Sequence, residues 1–299
     1  MSAAILISTF DRYEPLAHWT AERIEQCWIG HPPIFFSGLD QGDVEKDWMT
    51  LTQVAVARLI EKGYWHTYLI LDDHPPMGLC HNDYLNRILP SAAIATEASH
   101  ISLLGIGQHR LREGRLVKVG DAWLENSDPT YRWRFSLHPG FWRLQDLREL
   151  LDLRLRQYKG SARTPWNFER HKDDPDEPIA AEIGKRCHRI RGTDWDFSFG
   201  QVRLIQEALL RAVADLKMLA AKCTGGLDAR RLVELDWFWA FGHYAGPYPI
   251  YWSGCLRQGK PHADFEKWLG RFGPSQLKNS WRNFKSAQGD IFSQDRSLK

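Results

Sequence analysis

Apolar residues in the first hundred positions fall into short unbroken blocks, separated by stretches that repeat at helical spacing. Ala4-Ile5-Leu6-Ile7-Ser8-Thr9-Phe10 is one block, closed by Asp11-Arg12-Tyr13-Glu14-Pro15. It reads as a buried strand followed by a helix from Pro15 to about Cys27. Pro33-Ile34-Phe35-Phe36-Ser37-Gly38 predicts a second short strand bounded by turn residues. From Trp48 to Lys62, the sets Leu51, Ala55, Leu59 and Val56, Ile60 share one helical face, and Gly63 stands where a helix stop belongs. Tyr68 to Leu71 is β-prone and ends abruptly at Asp72-Asp73-His74-Pro75-Pro76. Asn82 is expected to cap a helix through Leu89, and His100 to Ile106 supplies a further strand. Strand alternating with helix predicts an α/β fold around a largely parallel sheet.

The pattern changes at Tyr131. An aromatic strand is expected over Tyr131 to Leu137, then His138-Pro139-Gly140-Phe141-Trp142, then a leucine-rich helix from Leu144 to about Tyr158. Gly160 to Pro178 is polar enough to read as a long loop, interrupted by Trp166-Asn167-Phe168-Glu169. Ser198 with Gln201 matches a capping box, and Val202, Ile205, Leu209, Val213 and Leu216 behind it predict a helix ending near Gly225-Gly226. The remainder is aromatic and irregular, with a polar stretch from Ser280 to Lys299.

Charge narrows the function. Lys and Arg total 39 against 37 for Asp and Glu, too balanced for the electrostatic footprint of a nucleic-acid binder. The five cysteines are widely spaced and contain no C-x-x-C pair, which suits a reducing compartment. No apolar run approaches the roughly 20 residues of a spanning helix, and the N-terminus lacks a signal-peptide pattern, so a cytoplasmic location is expected. Fourteen Trp is a high count, and several cluster at Leu235 to Phe241 and at Trp252. Such rings serve core packing or stack on sugars and bases. Walker loops, G-x-S-x-G elbows and H-E-x-x-H helices are all missing from the sequence.

The candidate chemistry centres on Leu69 to Pro76. An apolar strand there stops at two carboxylates and an imidazole, at the sheet edge where α/β proteins bind ligands. If extended geometry persists past Leu71, Asp72 and His74 point the same way, as one oxygen and one nitrogen ligand for Mn²⁺ or Mg²⁺ on a diphosphate. A helix cap or simple turn is the plainer reading. The Lys185 to Arg191 run is the densest basic stretch, either a solvated face or a phosphate-binding one.

The Asp72-Asp73-His74 run resembles the metal-binding acidic signature of GT-A fold nucleotide-sugar glycosyltransferases of the family-2-like, bacterial surface-polysaccharide type. Ile5 to Leu16 is similar to the strand and loop that hold the nucleoside in that family. Ser136 to Trp142, with Thr164-Pro165-Trp166-Asn167-Phe168-Glu169, is similar to its acceptor-side strand and aromatic-acidic motif. His at the third position of the acidic run, and the lack of a second acid after Glu169, depart from the commoner pattern.

The resemblance implies a GT-A-like Rossmann-type mixed sheet flanked by helices, with a helical, aromatic-rich C-terminal extension. It implies a catalytic domain over 1–178, divided into a nucleotide-sugar half (1–110) and an acceptor half (111–178), with 179–299 as the C-terminal region. Asp72 and His74 would ligate Mn²⁺ or Mg²⁺. Thr9, Asp11, Arg12, Asp73 and His138 would contact a nucleoside-diphosphate sugar, UDP-sugar first. Trp142 and Trp166 would stack on a carbohydrate or lipid-linked acceptor, and Glu169 would be the catalytic base of an inverting transfer. Arg12 has a competing role in an ion pair, Trp142 in the core, His138 as a hydrogen-bonded structural residue and Glu169 as a surface acid or cap. A peripheral contact with a membrane's inner face or a protein is the expectation for the C-terminal region. Two other functions stay open: nucleotidyl transfer onto a sugar phosphate, and a non-catalytic carbohydrate-binding or scaffold protein.

Overall fold

The computed structural model describes residues 2–39, 47–104, 116–126, 134–169, 178–190, 243–244, 246–251, 253–257 and 260–287. Its centre is an eight-stranded mixed sheet in the order β2-β1-β3-β7-β4-β8-β6-β5. β1 (Ala3–Ser8) pairs in parallel with β2 (Ile34–Phe36) on one side and β3 (His66–Leu71) on the other. β7 (Gly140–Arg143) runs antiparallel between β3 and β4 (His100–Ser102), and β4 is parallel to β8 (Cys187–Ile190). The hairpin of β5 (Leu116–Val119) and β6 (Ala122–Asn126) completes the far edge.

Strand alternation distributes the core to both faces. Ile5, Ile7, Tyr68 and Ile70 meet α1 (Glu14–Cys27) and α3 (Leu89–Ala95). Ala4, Leu6, Leu69 and Trp142 meet α2 (Trp48–Glu61), α4 (Leu144–Gln157) and α6 (Pro178–Lys185). The apolar face anticipated for Trp48 to Lys62 is the buried face of α2, and Asp47 caps it by accepting from Thr50 N at 2.9 Å. A third core lies outside the sheet, where Leu16 and Trp19 of α1 pack on α7 (Ala263–Phe272) and α8 (Ser275–Ala287) through Phe265, Trp268 and Trp281. The α/β class and the helical, aromatic-rich C-terminal region therefore stand as expected.

Two local expectations are corrected. Arg134 to Leu137 is turn and irregular chain, and the sheet strand is β7, which begins three residues after Leu137. Leu137 N–H donates to the Glu169 carboxylate instead of to a neighbouring strand, so that segment serves a side chain and not a ladder. Asn82 does not cap its helix: Tyr84 N donates to His81 Nδ1, and Asn82 Oδ1 accepts from Ile29 N. The helix then passes through a π turn at Tyr84–Ile88 and runs on to Ala95. Pro90 has no N–H for the Asn86 carbonyl, and a widened turn before it accommodates that loss. Strand β8, beyond residue 178, joins the same sheet as β1 to β7. The helix expected behind Ser198 and Gln201, the polar tail beyond Ala287, and the Trp237 to Phe241 and Trp252 cluster lie outside the described residues.

Trp142 is wholly enclosed, stacked on His100 with centroids 4.0 Å apart and edge-on to Phe168. No face is open to a sugar, which corrects the acceptor role and leaves the core role. Trp142→Ala is expected to cost about 3–5 kcal/mol of stability, read as a lowered denaturation midpoint.

Candidate functional site

The chain leaves β1 for β2 on one side and returns for β3 on the other, so strand order reverses between β1 and β3. Ligands of open α/β sheets bind outside the carboxyl ends of the strands at such a point. Ser8 ends β1 and Thr9 follows it, and Leu71 ends β3 in register with Ser8. Thr9 is buried, and its N–H donates to Ser37 Oγ beyond β2. Gly38 passes so close to Thr9 that a side chain there would overlap the Thr9 carbonyl.

Extended geometry stops at Leu71. His74 N–H donates to the Leu71 carbonyl at 3.0 Å, closing a β-turn with Asp72 and Asp73 as its central residues. The alternation that would have aligned Asp72 with His74 is therefore absent. His74 instead bonds its sequence neighbour, with Nδ1 2.7 Å from Asp73 Oδ1. Asp72 N–H donates to Ser8 O at 3.1 Å, and Thr20 of α1 donates to Asp72 O at 2.5 Å. Cys255 N–H donates to Asp73 O at 2.8 Å, and Tyr248 O–H donates to His74 O at 3.2 Å.

Burial first, and then the adjacent Asp73 charge, raises the Asp72 carboxyl to about 8 against a partial offset from its hydrogen bond with Thr9. A divalent cation beside it removes that cost. Mg²⁺ in particular is held by one or two carboxylates alongside substrate phosphates and retained waters, and Mn²⁺ favours the same oxygen donors. Asp72 fits such a cation. His74 does not offer Nδ1, which is engaged by Asp73. Among the described residues no three His, Cys, Asp or Glu side chains converge as a protein-only metal cage.

Glu169 approaches the turn from the other side. Thr164 starts α5 (Pro165–Glu169), and Phe168 plugs the core between Trp48 and Trp142. That anchor turns Trp166 outward, 66% exposed, and Glu169 inward, 8% exposed. Glu169 Oε1 accepts from Leu137 N at 2.6 Å and from Ser136 Oγ at 3.4 Å. Ser136 Oγ also lies 2.8 Å from His138 Nδ1. Burial raises the Glu169 carboxyl to about 6, opposed by the Leu137 hydrogen bond and then by His74. The His74 and His138 rings stand edge to face, 5.4 Å between centroids, and join the two carboxylate groups into one site.

Thr9, Asp72, Asp73, His74, His138 and Glu169 thus come together. Arg12 is exposed over the Tyr13 ring in the turn Asp11–Tyr13, and the Asp11 side chain lies outside the described part. The basic run is a strand end with ion pairs: Lys185 with Glu182, Arg186 with Asp146 and Arg189 with Glu125, while Arg191 lies outside the described residues. Ser136, Thr20, Tyr248 and Cys255 were not anticipated, because each meets the site through a long-range contact without a local pattern. A cleft of about 580 Å³ lies elsewhere, between the outer face of α1 and α8, lined by His18, Glu22, Gln26, Gln276 and Asn283 among others. No helix of the described residues is long and apolar enough to cross a membrane. No protein-family model matches the chain, and no curated protein matches it in sequence.

Proposed function

We propose that the chain is a metal-dependent glycosyltransferase of the GT-A type, transferring a sugar from a nucleoside-diphosphate sugar to a carbohydrate or lipid-linked hydroxyl with inversion. The observation that carries this reading is the acidic turn at Asp72, at a strand-order reversal, linked through the His74 and His138 rings to a buried carboxylate at Glu169 that burial raises to about 6. A raised carboxylate is a base matched to cytoplasmic pH. Two carboxylates in unlike surroundings divide into different roles.

Asp72 would hold the donor diphosphate through the cation, with Thr9 beside the nucleoside. Bound Mn²⁺ or Mg²⁺ would neutralise the negative charge developing on the leaving diphosphate. Glu169 would take the acceptor hydroxyl proton on Oε2, because Oε1 already accepts from Leu137 N–H. The acceptor oxygen then bonds the anomeric carbon as the bond to the diphosphate oxygen breaks, on the opposite face. Ser136 holds His138 near this point. The reaction belongs in the cytoplasm or at the inner face of a membrane, where the C-terminal region could make a peripheral contact.

Calorimetry with a panel of nucleoside diphosphates, with and without Mn²⁺, tests this directly. Metal-dependent binding of one base is expected. Its absence for every base would leave a non-catalytic scaffold as the better reading. Trp166→Ala is expected to weaken acceptor binding by about tenfold, the loss of one stacking contact. Its denaturation midpoint should barely move, since exposed substitutions change stability by about 0.5 kcal/mol or less.

A further inference from the structure

The acidic turn is held by a segment almost 180 residues away in sequence. Met77 N–H donates to Pro249 O, His81 N–H donates to Pro247 O, and Tyr248 O–H donates to His74 O. The chain then forms β10 (Ile250–Tyr251), antiparallel to β9 (His243–Tyr244), and turns at Gly254, where φ is +76°. An ideal Cβ built on Gly254 would overlap the Asp73 carboxylate, with Asp73 Cγ only 2.8 Å away. The next residue, Cys255, donates its N–H to the Asp73 carbonyl. β11 (Leu256–Arg257) and α7 follow, with Tyr251 and Phe265 in the third core.

We infer that residues 247–251 and 253–255 act as a positioning strap for the acidic turn, with Gly254 as its critical residue. The strap fixes Asp73 against His74, so Asp73 serves to aim that imidazole and Asp72 remains as the carboxylate that meets the donor. Two independent constraints select glycine at 254. A left-handed φ disfavours any residue with a Cβ. The Asp73 carboxylate also occupies the space that a Cβ needs. The metal-dependent role of the turn rests on the glycosyltransferase reading, but the coupling between Gly254 and Asp73 does not.

The test uses the full chain in four forms: wild type, Gly254→Ala, Asp73→Ala and the double variant. Gly270→Ala is the control, because a Cβ on that helical glycine meets open space. Denaturation midpoints report the contact itself. Residues in contact depart from additivity, so the double variant should be less destabilised than the two single losses together. Additive losses would overturn the strap. Binding of Mn²⁺ with UDP as probe then reports positioning. Gly254→Ala is expected to lose about tenfold or more in affinity while Gly270→Ala loses none. A folded Gly254→Ala that binds the probe as wild type does would also overturn the inference.

Should Gly254→Ala not fold, Tyr248→Phe removes only the hydroxyl that holds His74 O. It should lower probe affinity about three- to tenfold, and no change would count against the strap. If wild type fails to bind Mn²⁺ with UDP, it is the functional reading that falls, and the thermal coupling still decides the strap.

Discussion

Asp72→Asn is expected to abolish the stabilisation that Mn²⁺ confers and to lower affinity for a nucleoside diphosphate by at least about 100-fold, beyond the loss usual for groups that only support a metal ligand. Asparagine keeps the size and the hydrogen bond with Thr9 but carries no charge for a cation. The free protein should respond in the opposite direction. Asp72 titrates near 8 in the fold and near its ordinary 3.8 when unfolded. Between those values the native state holds a proton that the unfolded state has released. Wild-type stability therefore falls as pH rises from about 4 through about 8, at up to roughly 1.4 kcal/mol per pH unit. The asparagine variant lacks this contribution and should be the more stable protein at pH 8 without metal. Denaturation midpoints at pH 6 and pH 8, with and without Mn²⁺, provide the measurement. A metal-induced shift of equal size in both proteins would remove Asp72 from the site.

The elements most readable in the sequence are those whose burial follows one period. Ala4 to Ser8 and Tyr68 to Ile70 are buried on both faces, so a continuous apolar run marks them as central strands. Helix α2 has one apolar face and a capping Asp, and its limits lie close to the expected ones. Strand β7 was missed because it is only four residues long and follows a more aromatic segment, whose strand propensity is overruled by the hydrogen bond from Leu137 to Glu169. Propensity is a weak guide where a buried side chain claims the backbone donor. The acidic turn was legible as chemistry and not as geometry. Three potential ligands in a row are visible in sequence, but which of them face each other depends on the strand ending at Leu71. The strap of Pro247 to Tyr251 and Ser253 to Cys255 was invisible, since nothing near Gly254 in sequence refers to Asp73.

Glu169→Gln is expected to leave donor binding nearly intact and to cut transfer by about 10²–10⁴-fold, the range for loss of a general base. Glutamine can still accept from Leu137 N–H on its carbonyl oxygen, so α5 should keep its position with Phe168 in the core. The pH dependence separates this role from a structural one. Glu169 must be ionised to accept a proton, and its carboxyl titrates near 6. The wild-type rate at saturating donor and metal should then rise about tenfold per pH unit below 6 and level off above it. Stability runs the other way. The fold holds the proton up to about 6, whereas the unfolded chain releases it near 4.5, so this group destabilises the protein as pH rises through that window by about 2 kcal/mol. Glu169→Gln removes both effects together, giving a flatter stability profile along with the lost rate. An unchanged rate in a folded variant would transfer the base role to another acid, with Asp173 and Asp174, outside the described residues, next to be substituted. A lost rate with an unchanged pH profile in the residual activity would instead make Glu169 a support for Ser136 and Leu137.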